Sequence, residues 1–268
     1  MQRRKYFTLV LASIVSWLMA VGCTSGGPSS IPTTPRNNTV TITISAAASL
    51  QNALEVISPK FTKAHPNITV DYNFASSGAL QRQIEQGAPS DAFFSAATQQ
   101  MEALLAKELI LTDSRQDPVA NNLVLIAPLE SPLAITDITQ LKDVAVDTVA
   151  VGEFRSVPAG QYAEQVFQNL GLSDTFNSKF IFGNNVRSVL SAVESGNVEL
   201  GIVYASDALL STKVKVLATI PEEFHQPIVY PVAVVKNSPY PEATQTFIDF
   251  LATDSAQAIF TEYGFSSF

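Results

Sequence analysis

The sequence predicts an α/β fold in which mostly parallel sheets are flanked by helices. Three observations carry that expectation. Strand-like and helix-like periodicities alternate from residue 40 to the C-terminus. Several strand runs are continuously apolar, as strands buried on both faces are. Glycines stand where three of the helical patterns stop, the usual C-terminal punctuation. Such alternation builds layered α/β domains rather than bundles or sandwiches.

Taken in order, Val40–Ile44 is a β-rich run, and Leu50, Leu54, Ile57 and Phe61 then recur at near-helical spacing. Pro59 is expected to end or kink that helix. Ile68, Val70, Tyr72 and Phe74 alternate as a strand, and a helix from Ala79 to about Gln86 stops at Gly87. A short strand around Phe93 leads to a helix from Thr98 to Lys107. Leu123–Ala127 and Thr148–Val151 read as buried strands. Helices follow at Ala159–Leu170, before Gly171, and at Val186–Glu194, near Gly196. Strands Glu199–Tyr204, Val214–Ile220 and Tyr230–Val235 precede a C-terminal helix pair from Pro241 to Tyr263.

The first residues are set aside as processing signal. Arg3, Arg4 and Lys5 precede an apolar run, Phe7–Val21, broken only by Thr8, Ser13 and Ser16. That run is short for a membrane span and has the flanks of a secretory leader over residues 1–22. Cys23, the only cysteine, follows Gly22 at the point of cleavage and resembles the lipid-accepting cysteine of a bacterial lipobox, although Ala20 stands where that motif usually has leucine. Residues 23–39 are rich in Gly, Pro, Ser and Thr and read as a flexible tether. The expected location is therefore extracytoplasmic, in the periplasm or at the cell surface, with the membrane engaged through lipid on Cys23.

Charge and composition exclude several classes. Removing residues 1–22 takes away three basic residues and no acidic one, so the net charge goes from -8 to -11. A nucleic-acid partner wants a basic stripe, which this chain lacks. One cysteine allows no disulfide framework, and the two histidines, His65 and His225, have no second metal-type ligand at useful spacing. No P-loop, G-x-G-x-x-G, C-x-x-C or G-x-S-x-G occurs. No cofactor and no catalytic residue is expected.

The informative feature is what precedes four helices. Ala46-Ala47-Ala48-Ser49-Leu50, Phe74-Ala75-Ser76-Ser77-Gly78, Val157-Pro158-Ala159-Gly160 and Asn185-Val186-Arg187 are all built from small or capping residues. One such start is an ordinary N-cap. Four facing one cleft would be an anion site, because each offers unpaired N–H donors and a partial positive charge. In open α/β sheets the cleft lies beyond the carboxyl ends of the strands, where these turns fall.

On the stretches AAASLQNAL (46–54), FASSGALQRQIEQGAPSDAFFSA (74–96), VPAGQYA (157–163), NNVRSVLSAVESG (184–196), ELGIVYASDA (199–208), YPVAVV (230–235) and EYGF (262–265), the chain resembles the molybdate-binding proteins of ABC importers. The resemblance spans Val40 to Phe265. It implies a two-lobed periplasmic-binding-protein fold with the ligand cleft between the lobes. One lobe would be 40–120 plus 229–268, the other 121–228. It implies ligand donors at Ser49, Ser77, Ala159, Val186 and Tyr204, the serines and the tyrosine giving hydroxyls and the other two backbone N–H. These would hold molybdate or tungstate as an oxyanion, with no direct metal-ion ligand. The implied partners are an integral-membrane permease and an ATPase, and the chain itself would be a monomer. Two departures sit beside matched donors: Asn185 where many relatives have Asp, and Gly78 in place of a third serine. The rival readings are a receptor for sulfate or phosphate, a lipid-anchored hydrolase, and a sensor or adhesive module on the same fold.

Overall fold

The computed structural model describes residues 39–268. The leader, Cys23 and the tether up to residue 38 lie outside the described residues. Strand β1 (Val40–Ala47) passes through a 3-10 turn at Ala48–Leu50 into helix α1 (Gln51–Ala64), and β2 (Ile68–Ala75) leads into α2 (Ser77–Glu85). Strand β3 (Ala92–Phe94) precedes α3 (Thr98–Ala106), and β4 (Gln116–Asn121) runs almost directly into β5 (Leu123–Pro128). Then come β6 (Val149–Gly152), α4 (Pro158–Asn169), α5 (Ser173–Phe176), β7 (Phe180–Gly183), α6 (Val186–Glu194), β8 (Leu200–Tyr204), α7 (Ala205–Leu209) and β9 (Val214–Thr219). Strand β10 (Ile228–Val234), α8 (Pro241–Leu251), α9 (Asp254–Glu262) and β11 (Ser266–Ser267) complete the chain.

These strands form two sheets, ordered β11-β4-β10-β3-β1-β2 and β7-β6-β8-β5-β9. Each sheet carries helices and makes one lobe, and the chain passes between them after β4 and again between β9 and β10. The parallel expectation holds for β2-β1-β3 and for β7-β6-β8. It needs correcting at β4, β5, β9, β10 and β11, whose pairings are antiparallel. The reason is geometric. The parallel strands point their carboxyl ends at the other lobe, so a strand that enters a lobe from that side, β5 or β10, must run against them. Both sheets are therefore mixed.

The cores follow the predicted periodicities. Leu54, Ile57 and Phe61 of α1 are fully buried, and Phe61 meets Phe247 of α8 edge-on at 5.1 Å. Val166 of α4, Val189 and Val193 of α6, and Ile202 of β8 are buried in the second lobe. Pro59 does not end α1, which continues to Ala64. Pro59 and Glu55 both lie on the exposed face, so the carbonyl that the proline leaves unpaired meets water. Gly171 and Gly196 do close their helices, each at φ +69°.

Candidate functional site

The strand–helix turns singled out in the sequence meet in one place. Ser49, Ser77, Ala159, Val186 and Tyr204 line a single small cavity, together with Ala47, Ser76, Ala96, Val157 and Asn185. Its walls come from both lobes, through the starts of α1, α2, α4 and α6 and the end of β8. Every one of the five expected residues is buried, none above 4% exposed.

How these helices begin decides what the cavity can do. The helical segments starting at Ala48, Ser77 and Pro158 have no side-chain cap at their N-termini. The backbone N–H groups of Ser77, Ala159 and Val186 donate to no protein acceptor among the described residues. Ser76 occupies a cap position without capping, an arrangement that leaves donors for something else. Only α6 is capped, by Asn185, whose Oδ1 accepts from the Ser188 N–H at 2.9 Å while its own N–H donates to Ser188 Oγ at 3.3 Å. Asn185 thus caps as Asp would, but without placing a carboxylate on the cavity wall.

The helix starts approach closely because glycines allow it. A Cβ on Gly160 would lie 2.1 Å from the Gly152 carbonyl oxygen, so the first turn of α4 packs directly against the end of β6. Gly78, the second departure, does the same between lobes. Its N–H donates to the Ser156 carbonyl at 3.0 Å, and a Cβ there would lie 2.5 Å from that oxygen. The lobes are closed on each other, with further bonds from Gln100 Nε2 to Gln161 Oε1 at 3.0 Å and from the Tyr204 hydroxyl to the Ala96 carbonyl at 3.4 Å.

Three side-chain arrangements were not visible in the sequence. Ala96, just past β3, donates its N–H to Ser77 Oγ at 2.9 Å while its carbonyl takes the Tyr204 hydroxyl. Its position after a short parallel strand is the one signal that could have found it. Ser49 Oγ lies 3.1 Å from the hydroxyl of Tyr230, on β10. Arg187 follows Val186, and its Nε sits 2.7 Å from Asp207 Oδ1 while its guanidinium donates to the Ser49 carbonyl at 3.3 Å across the lobes. The Nε–H is not aimed at the carboxylate oxygen, so the ion pair is a charge contact rather than a hydrogen bond. Asp207 is fully buried, and burial pushes its carboxyl up to about 6 against the opposing pull of Arg187. Burial likewise holds the Tyr204 and Tyr230 phenols well above their ordinary range, so both keep their protons as donors.

Nothing else described competes as an anion site. An open groove of about 1420 Å³ on the first lobe is lined by Glu108, Asp113 and Glu242 against a single Lys236, which repels anions. No cluster of three His, Cys, Asp or Glu side chains occurs among the described residues. His65 stacks on Phe61, and His225 is buried against Tyr162 with Nδ1 bonded to the Gln226 carbonyl.

Two α/β lobes shut over a small cavity walled by helix N-termini define a solute-binding protein of the periplasmic-binding type. The profile of the bacterial extracellular solute-binding proteins matches residues 42–266. A molybdate-binding protein ModA from Escherichia coli is 41% identical over 238 residues, which cover 84% of this chain and 88% of that protein. A Bacillus subtilis chain, provisionally named as an ABC transporter substrate-binding lipoprotein, is 38% identical over 98% of this chain and 99% of its own length. Among solved structures, the substrate-binding domain of a provisionally assigned molybdenum ABC transporter from Clostridium difficile is 42% identical, with a TM-score of 0.68 over 85% of this chain and 99% of that one. The chain belongs to the bacterial extracellular solute-binding proteins, in the family that includes the molybdate-binding ModA proteins.

Proposed function

We propose that this protein captures molybdate, and equally tungstate, outside the cytoplasm and hands it to the permease and ATPase of an ABC importer. The observation that carries the reading is the donor-rich wall: four helix starts, three of them without a side-chain cap, and hydroxyls, with no carboxylate among the five proposed ligands. Ser49 and Ser77 would donate hydroxyl protons, Tyr204 would turn its proton from the Ala96 carbonyl to the ligand, and Ala159 and Val186 would give their backbone N–H. A fully deprotonated tetrahedral dianion needs donors alone. Helix ends supply them without the desolvation that a buried, unpaired Lys or Arg would cost. The net charge of -11 on residues 23–268 repels dianions at long range, so affinity arises inside the cleft and not from steering.

Lobes 40–120 plus 229–268 and 121–228 would open and close about the crossings near 120 and 228, and the closed form is what the permease reads. The protein works without cofactor and without catalysis, as a monomer tethered through lipid on Cys23. Two experiments test this. Protein equilibrated with molybdate and desalted should retain one molybdenum per chain by elemental mass spectrometry; a chain that retains none rejects the ligand. Cys23→Ser should move the protein from the membrane to the soluble fraction, and unchanged membrane association would reject the anchor.

A further inference from the structure

The molybdate reading leaves one matter open: a hydroxyl can accept as well as donate, so serines alone do not make a cavity donor-only. The direction of each hydroxyl depends on what stands behind it. Behind Ser77 is the Ala96 N–H, which can only donate, so the proton of Ser77 is left for the cavity. Behind Ser49 is the Tyr230 hydroxyl at 3.1 Å, which could run either way.

Asn121 settles the direction. Its Oδ1 accepts from the Asn122 N–H at 2.9 Å, which fixes the amide orientation. Its Nδ2 then donates to Ser206 Oγ at 2.8 Å and to the Tyr230 hydroxyl oxygen at 3.3 Å. Tyr230 is fully buried and already accepts from that amide. Were Ser49 also to donate to it, the phenol proton would be left without an acceptor within hydrogen-bond distance among the described residues, a costly outcome in a dry site. The phenol proton therefore goes to Ser49 Oγ, and the Ser49 proton goes to the cavity. We infer that Tyr230, oriented by Asn121, is a positioning residue that locks Ser49 as a donor and thereby contributes to the discrimination against protonated oxyanions. The chain of bonds runs Asn122 N–H, Asn121 amide, Tyr230 hydroxyl, Ser49 hydroxyl, ligand oxygen. None of its first three members touches the cavity wall.

This inference rests on the proposed anion site, and the test separates the two. Molybdate, sulfate and inorganic phosphate are titrated calorimetrically at pH 7.5 into the wild type, Tyr230→Phe and Asn121→Asp. Tyr230→Phe frees the lone pair of Ser49 and should narrow the molybdate-to-phosphate affinity ratio at least tenfold. The molybdate-to-sulfate ratio should stay within threefold, because neither of those anions carries a proton. Asn121→Asp replaces the donor amide with an acceptor, so the relay reverses and Ser49 turns its lone pair to the cavity. The added charge weakens every anion, yet phosphate should again gain at least tenfold relative to sulfate. This second, near-isosteric variant serves if Tyr230→Phe does not fold. Phosphate ratios that stay within threefold of wild type, or sulfate ratios that move as far as the phosphate ones, overturn the inference. Wild type that fails to bind molybdate overturns the site reading instead.

Discussion

Replacing Gly78 by alanine tests whether the lobes must close to within van der Waals contact for the anion to be held. The new Cβ would meet three backbone atoms of Ser156: its oxygen at 2.5 Å, its Cα at 2.7 Å and its carbonyl carbon at 3.0 Å. None of these is the end of a flexible side chain, so the strain is relieved by moving the lobes apart. Ordinary contact begins near 3.4 Å, so the interface must open by roughly 0.9 Å at this point. Ser156 stands three residues before Ala159, so the same displacement carries the start of α4 away from the first lobe. A donor pulled from about 2.9 Å to about 3.8 Å from its acceptor no longer makes a hydrogen bond. Losing one bond to a charged group costs about 1.5–3 kcal/mol, roughly ten- to a hundred-fold in affinity. Folding should not suffer, since alanine is the better helix former at this α2 position and Gly78 has no positive φ. The assay is calorimetry, because the only tryptophan, Trp17, lies outside the described residues. Gly78→Ala binding molybdate within twofold of wild type, with an unchanged melting temperature, would refute the argument.

Other perturbations follow from the same geometry. Ser49→Ala and Tyr204→Phe each remove one proposed donor and should weaken molybdate binding by about 1.5–3 kcal/mol in the same titration; shifts below twofold for both would take them out of the site. The carboxyl of Asp207, raised by burial from 3.8 to about 6, links stability to pH with a definite sign. A raised folded-state value means that its contribution is complete below about pH 4 and is lost as pH rises through about 6, a change of about 3 kcal/mol. Urea unfolding of wild type and Asp207→Asn should therefore show the wild-type-minus-variant difference falling between pH 4 and pH 7; a flat difference contradicts the assignment.

Much of this site was legible because its parts are local. A β-run, then small residues, then a helical period places a turn at the carboxyl end of a strand, and four such turns could be read without any contact information. What stayed hidden depends on partners distant in sequence. Tyr230 read as one more residue of an apolar strand, since its partners Asn121 and Ser49 lie 109 and 181 positions away. Strand β4, Gln-Asp-Pro-Val-Ala-Asn, lacks an apolar period. Pro118 is tolerated there because the β4–β10 register shifts between Tyr230 and Val232, a bulge that asks nothing of its missing N–H. Strand β7 is four residues long at the sheet edge, with Ile181 and Phe182 exposed, so no alternation announced it. The antiparallel strands follow from the chain crossing twice between lobes, a property of topology that strand composition does not encode. Gly78 looked like a lost hydroxyl and is instead one of the points at which the lobes touch.

The central claim is that a cavity whose five ligand groups are all donors selects proton-free tetrahedral dianions of one size. One calorimetric panel on wild-type residues 23–268 at pH 7.5 tests it most directly, with molybdate, tungstate, sulfate and phosphate measured side by side. Molybdate and tungstate should bind tightly and nearly alike. Sulfate, too small for donors fixed on four helix ends, should bind at least a hundredfold more weakly, and so should phosphate, whose proton finds no acceptor. Phosphate binding as tight as molybdate would require an acceptor facing the cavity and would contradict the account.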